Sequence, residues 1–205
     1  MASNIALRRA AKANRRKAVV AEKRRAEMLE GTLAARVRRA ANAPIQDCLL
    51  QSALFEAGIG TLILARGILP DYLNVGVFLV DVSCLGVKDV FFQSIGAAAF
   101  ESLVATTSAA RPLLAVDPSY ARRLLRDVTV WSGSLGFSPH RDFAAVEPLF
   151  GDVRAEACDV VFRFGHGGKP VYMPGPFETS AQVRRRLDQL RMRLGEEGFE
   201  AITSL

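Results

Sequence analysis

Reactive side chains gather in two short segments of this 205-residue chain. The first follows the apolar run Val75–Val80 and holds Asp81, Cys84, Lys88 and Asp89. The second is Pro139-His-Arg-Asp142. Binding and catalytic groups are often carried by the loops that follow strands. The candidate catalytic residues are therefore Asp81, Cys84, His140 and Asp142.

One hypothesis for these residues is a metal-dependent phosphodiester hydrolase. Carboxylates at the end of a central strand bind Mg²⁺, which stabilises charge at the phosphate and activates water. The predicted ligands are Asp81, Asp89 and Asp142, and His140 is a further ligand or the general base. Mg²⁺ is a cofactor of this hypothesis only. The competing interpretation is structural: Asp81 and Asp89 cap turns, and Lys88 pairs with one of them.

A second hypothesis is thiol chemistry. Cys84 before a helix would have a lowered pKa, and His140 with Asp142 would supply a base and the group that orients it. The alternative is that Cys84, set between Ser83 and Leu85, is a small buried residue.

The glycine-rich segment Gly165–Lys169 is interpreted as a hairpin turn. It is no Walker A motif, since Pro170 and a strand follow the lysine where that motif requires a helix.

The elements that position these residues indicate an α+β fold, with a mostly antiparallel sheet of two hairpins packed with helices. Strands at 61–66 and 75–80 form the first predicted hairpin, and strands at 160–164 and 170–173 form the second. Helices are predicted from Phe91 to about Thr107, from Pro118 to Gly136 behind an Asp117 N-cap, and after the capping box 179–182.

A long basic N-terminal helix or arm precedes this body. Residues 1–41 hold twelve of the 27 Lys and Arg but only three of the 21 acids, a net charge of +9, whereas the other 164 residues carry a net −3. We therefore divide the chain into an arm, residues 1–43, and one α+β domain, residues 44–205. Such asymmetry is typical of polyanion binding, and a disordered solubilising tail is the alternative. The predicted nucleic-acid-binding residues are Arg8, Arg9, Lys12, Arg15, Arg16, Lys17, Lys23, Arg24 and Arg25.

The second half of the arm adds an apolar stripe at helical spacing: Ala26, Leu29, Leu33 and Val37. This stripe predicts docking on the body, on a protein partner or on a second copy of the chain.

Cysteine content and hydropathy bear on location. Cys48, Cys84 and Cys158 lack C-x-x-C spacing, which favours a reducing compartment, so we expect a cytoplasmic protein. No apolar run approaches the roughly 18 residues of a membrane helix, so we expect no membrane partner.

Three segments resemble a group of uncharacterised bacterial proteins. They are Phe78–Asp89 ("F-L-V-D-x-x-C-L-G-V-K-D"), Leu135–Phe143 ("L-G-F-x-P-H-x-D-F") and Gly168–Pro176 ("G-K-P-x-Y-x-x-G-P"). The resemblance covers about 54–176 and implies a bacterial origin, without an activity to carry over.

Taken together, the sequence predicts an RNA- or DNA-associated binding protein, within a nucleoprotein or ribonucleoprotein assembly, that uses its basic arm. The alternative is an enzyme, a metal-dependent nuclease or a cysteine hydrolase, with its site near Asp81, Cys84, His140 and Asp142.

Overall fold

The α+β class is confirmed by the computed structural model, which describes residues 31–68 and 72–202. Its main sheet has five antiparallel strands: β1 Ile45–Gln51, β2 Ile59–Arg66, β3 Leu73–Asp81, β4 Gly86–Ile95 and β5 Leu113–Ala115. They lie in the order β4-β3-β2-β1-β5. A small parallel pair is formed by β6 Val171–Tyr172 and β7 Glu200–Ala201.

Helices pack on both faces of the main sheet, and the described residues contain six in all. They are α1 Leu33–Ala40, α2 Leu54–Ala57, α3 Ala97–Ser108, α4 Pro118–Ser134, α5 Phe143–Val146 and α6 Ser180–Leu194, with 3₁₀ turns at Glu147–Phe150 and Ala155–Ala157. Phe78 faces α1, α4 and α5 in the larger core, whereas Val77 faces α3 in a smaller one. Successive side chains of a strand point to opposite faces, so the run Val75–Val80 of β3 has no polar side chain because both of its faces are covered.

The predicted first hairpin is confirmed as β2 and β3, which pair from Ile59↔Asp81 to Arg66↔Asn74. The predicted helix from Phe91 was wrong at its start. Residues 91–95 belong to β4, where Phe91 pairs with Val77, and α3 begins only at Ala97. A short apolar run is compatible with the residue spacing of a helix and with that of a strand. Here backbone pairing with the buried strand β3 favours the strand.

The second predicted hairpin was wrong, although its second strand is present as β6, which pairs in parallel with β7. Residues 160–164 form no strand, and only an isolated bridge joins His166 to Lys169. The Phe162 ring packs 5.0 Å from Tyr120, and the Phe164 ring packs 5.3 Å from Trp131. The alternating aromatic residues therefore serve packing on α4 rather than a strand ladder.

The best-marked helices are confirmed. The Asp117 side chain accepts a hydrogen bond from the Ser119 amide at 2.7 Å and caps α4. A complete capping box of Thr179 and Gln182 starts α6. Local capping chemistry was sufficient to predict both.

The described end of the arm docks on the body of its own chain. Val37 of α1 is completely buried in the larger core, and Leu33 packs against it. Ala26, Leu29 and the nine predicted nucleic-acid-binding residues, all within 1–30, lie outside the described residues. Within the described ranges, no helix is both long and apolar enough to cross a membrane.

Candidate functional site

A cleft of about 610 Å³ opens on the sheet face that carries α3. Ile59 lies opposite Asp81, and Leu79 lies opposite Asp89, so these side chains share that face and form the floor. His140 and the segment from Val171 to Glu178 form the walls. The volume lies within the range of small-molecule sites.

Asp81 is buried in the floor and stabilises the β3–β4 turn. Its Oδ1 accepts hydrogen bonds from the amides of Ser83 at 3.0 Å and Cys84 at 2.8 Å. Burial raises the pKa of Asp81, opposed by those amides and by the nearby Lys88. The turn-capping interpretation therefore holds for Asp81, and the carboxylate also faces a cleft.

A network around Glu178 forms one wall. Glu178 Oε1 lies 3.4 Å from Lys88 Nζ and 2.5 Å from Arg186 Nη1, and its Oε2 accepts a 2.5 Å hydrogen bond from the Tyr172 hydroxyl. The contact between Arg186 and Glu178 is an ion pair. Burial works to raise the pKa of Glu178, but Tyr172, Gly175 and Arg186 outweigh it, and the pKa is lowered.

His140 is held at the cleft by two backbone contacts. Its amide donates to the Val87 carbonyl at 2.8 Å, and its Nδ1 accepts a hydrogen bond from the Asp142 amide at 3.3 Å. In a neutral imidazole this places the lone pair at Nδ1 and the proton at Nε2. Nε2, 3.7 Å from Asp89 Oδ1, then acts as a hydrogen-bond donor rather than a base.

Cys84 lies outside the lining of the cleft. It is completely buried in an apolar cluster with Leu85, Phe137 and Tyr172. Burial, followed by the charge of Asp81, raises the pKa of its thiol to about 12. The thiolate needed for nucleophilic attack is therefore strongly disfavoured.

The predicted metal ligands are only partly brought together. Asp81 and Asp89 line the cleft. Asp142 does not line it, and its Oδ2 lies 4.0 Å from His140 Nδ1. Among residues 31–68 and 72–202, no group of three His, Cys, Asp or Glu side chains is placed to hold a metal ion.

Sequence patterns alone did not single out Tyr172, Phe177, Glu178 or Arg186. Glu178 precedes the capping box, and Arg186 belongs to the basic run 184–186 within α6. The only signal nearby was the third segment of the resemblance, Gly168–Pro176.

Comparison with family models, with curated proteins and with solved structures finds no match to this chain. The bacterial resemblance therefore stays a prediction. All three of its segments nevertheless contribute to the cleft, through Asp81, His140 and Pro174 among others.

Proposed function

We propose that the protein binds RNA or DNA and that its basic arm contacts the phosphates. The observation that carries this proposal is the charge division, +9 in residues 1–41 against −3 in the rest. Lys and Arg that neutralise phosphates release counterions, which gives affinity without requiring a base-specific site. A nucleoprotein or ribonucleoprotein assembly in the bacterial cytoplasm is the proposed setting, and the buried free thiols at positions 48, 84 and 158 suit a reducing compartment.

The packing of α1 supports a tethered arm rather than a detached tail. Val37 is buried against the body, so the chain preceding α1 starts from a fixed place on the fold. Arg38 and Arg39 on the exposed side of α1 extend the basic character to that place.

The first test separates the arm from the fold. Replacing the nine Lys and Arg of residues 1–30 by Gln is expected to weaken binding by 100-fold or more, on the order of the change that loss of several phosphate contacts produces. The logarithm of the association constant of the unaltered chain should fall steeply with the logarithm of salt concentration. Fluorescence anisotropy with labelled RNA and DNA of equal length measures both effects and compares the two polymers.

The matched control is removal of residues 1–30, which leaves Val37 and the core intact. It should bind as weakly as the Gln variant and unfold at the same denaturant concentration as the full chain. Equal affinity of the full and shortened chains would refute the proposal.

A second candidate is a phosphodiester hydrolase at the cleft. Asp81 and Asp89 line one cavity, which favours this candidate. Mg²⁺ is often held by one or two carboxylates together with substrate phosphates. The burial of Cys84 gives the cysteine hydrolase no comparable support.

Replacing Asp81 by Asn tests the hydrolase. Asn keeps an oxygen acceptor for the Ser83 and Cys84 amides and removes a carboxylate whose pKa is raised by burial. A raised pKa means that ionisation of this buried group works against folding at neutral pH, so loss of the charge itself is not expected to unfold the variant at pH 7.

Mg²⁺-dependent cleavage of labelled RNA and DNA should be lost in this variant and retained in Asp188→Asn, which alters an exposed carboxylate on α6. Cleavage that persists in Asp81→Asn, or no cleavage by the natural chain, excludes this candidate.

A further inference from the structure

The cleft has no surplus of positive charge to hold a phosphate. Its ionisable lining consists of three carboxylates, two cations and one histidine, namely Asp81, Asp89, Glu178, Lys88, Arg186 and His140. Both cations contact Glu178 and are therefore already compensated. With a neutral histidine the lining carries a net charge of −1, so a group that enters this cleft is better matched if it carries no negative charge.

The remaining lining suits a flat, uncharged group with a polar edge. Ile59 and Leu79 supply an apolar floor, and Pro174 and Pro176 supply part of the wall. His140 Nε2–H is a donor, and the carboxylate of Asp89, which is largely exposed, is an acceptor. Proteins recognise a nucleobase by hydrogen bonds to its edge and by apolar contact with its π-face, and this lining offers groups for both.

An exposed aromatic ring stands at the rim. Phe177 is 95 % exposed, although it lines the cleft between Pro176 and Glu178. Its backbone is fixed beside the Glu178 network, since the Glu178 amide donates to the Gly175 carbonyl at 3.1 Å. Aromatic side chains so placed in single-strand-binding proteins stack on unpaired bases, whatever their identity.

We propose that the cleft binds one unstacked base of a single-stranded nucleic acid, with Phe177 against the face of the base and His140 with Asp89 at its edge. This proposal rests on the function proposed above: the arm holds the phosphates, and the cleft selects a strand with an exposed base. The preference for single strands over duplexes follows, because a paired and stacked base cannot enter.

The test uses the full chain with four probes of about a dozen nucleotides, close to the length that one single-strand-binding domain covers. The probes are a single-stranded RNA, a single-stranded DNA, a duplex of matching sequence, and a strand with the same phosphates but abasic sugars. The natural protein should bind both single strands about 10- to 100-fold more tightly than the duplex and the abasic strand.

Phe177→Ala should lose this preference and fall to the affinity of the abasic probe. Its salt dependence should stay unchanged, because no phosphate contact is removed. Met192→Ala, which truncates an exposed side chain on α6 outside the cleft, is the matched control and should bind like the natural chain.

The outcomes separate the two proposals. If the natural chain binds none of the probes, the proposed function itself fails. If it binds them but Phe177→Ala is unchanged, or the abasic strand binds equally well, the base site is wrong. That second outcome is also the one expected if the cleft receives an apolar peptide segment instead.

Discussion

Replacing Arg66 by methionine is expected to lower the free energy of unfolding by about 3–5 kcal/mol, the usual range when one partner of a buried polar network is removed. Arg66 is 4 % exposed, and its guanidinium donates to the carbonyls of Leu149 at 2.7 Å and Phe150 at 2.6 Å. A third bond goes to the Ala43 carbonyl at 2.5 Å. Methionine fills a similar volume but leaves three carbonyls without this donor, and each buried unpaired group costs about 1–3 kcal/mol.

Urea denaturation followed by circular dichroism measures the loss. Arg66→Lys should be intermediate, because an ammonium group lacks the fork that reaches several carbonyls. Arg163→Met alters an exposed arginine and should change the unfolding free energy by less than about 0.5 kcal/mol. A loss below about 1 kcal/mol in Arg66→Met would contradict the role given to these bonds.

Arg66 bears on the proposed function because one of its hydrogen bonds reaches the segment that joins the arm to the sheet. Ala43 follows α1, and the Pro44 carbonyl accepts a 2.9 Å hydrogen bond from the Gly67 amide. Arg66 therefore fastens the base of the arm to the sheet. Partial opening at this point in Arg66→Met should loosen the arm from the body before the sheet unfolds.

The parts of the fold that could be predicted are those with a local cause. Asp117 and Pro118 begin α4, the capping box begins α6, and the turn-flanked apolar runs of β2 and β3 form a hairpin. In each case neighbouring residues carry the signal, so no knowledge of the tertiary contacts was required.

The errors occurred where a distant partner decides the structure. Residues 91–95 read equally well as a helix, but β3 supplies backbone pairing that only a strand can use. Residues 160–164 alternate like a strand, but Tyr120 and Trp131 provide a surface for their aromatic rings. The residues of these two segments carry no signal that indicates β3, Tyr120 or Trp131 as their partners.

The candidate site shows the same division. The β3–β4 turn and His140 could be selected by residue type, because they carry carboxylates and an imidazole next to strand or turn signals. Lys88 and Glu178 are 90 residues apart in sequence, and nothing in either segment indicates that they meet. Cys84 was selected by its chemistry, yet its burial depends on residues from α6 and from the loop after α4.

Replacing Glu178 by Ala is expected to cost about 3–5 kcal/mol of stability and to abolish base binding at the cleft. The side chains of Lys88 and Arg186 are 16 % and 30 % exposed, so removal of the carboxylate leaves two partly buried cations without this partner. Tyr172 is also left without its acceptor. Glu196→Ala is the control, since it breaks an exposed pair with Arg191 and should cost less than about 1 kcal/mol.

The pH dependence of Glu178→Gln separates the charge from the packing. The pKa of Glu178 is lowered from its ordinary value of 4.5, so its ionised form stabilises the fold above that value. This contribution is lost as pH falls through the lowered pKa, because the folded protein must then take up a proton that the unfolded chain already holds. Denaturation midpoints should therefore separate the natural chain from Glu178→Gln clearly at pH 7 and draw together in acid below 4.5. A difference that stays constant over this range would mean that the network stabilises the cleft wall through shape and neutral hydrogen bonds, and the ion pairs with Lys88 and Arg186 would lose their assigned role.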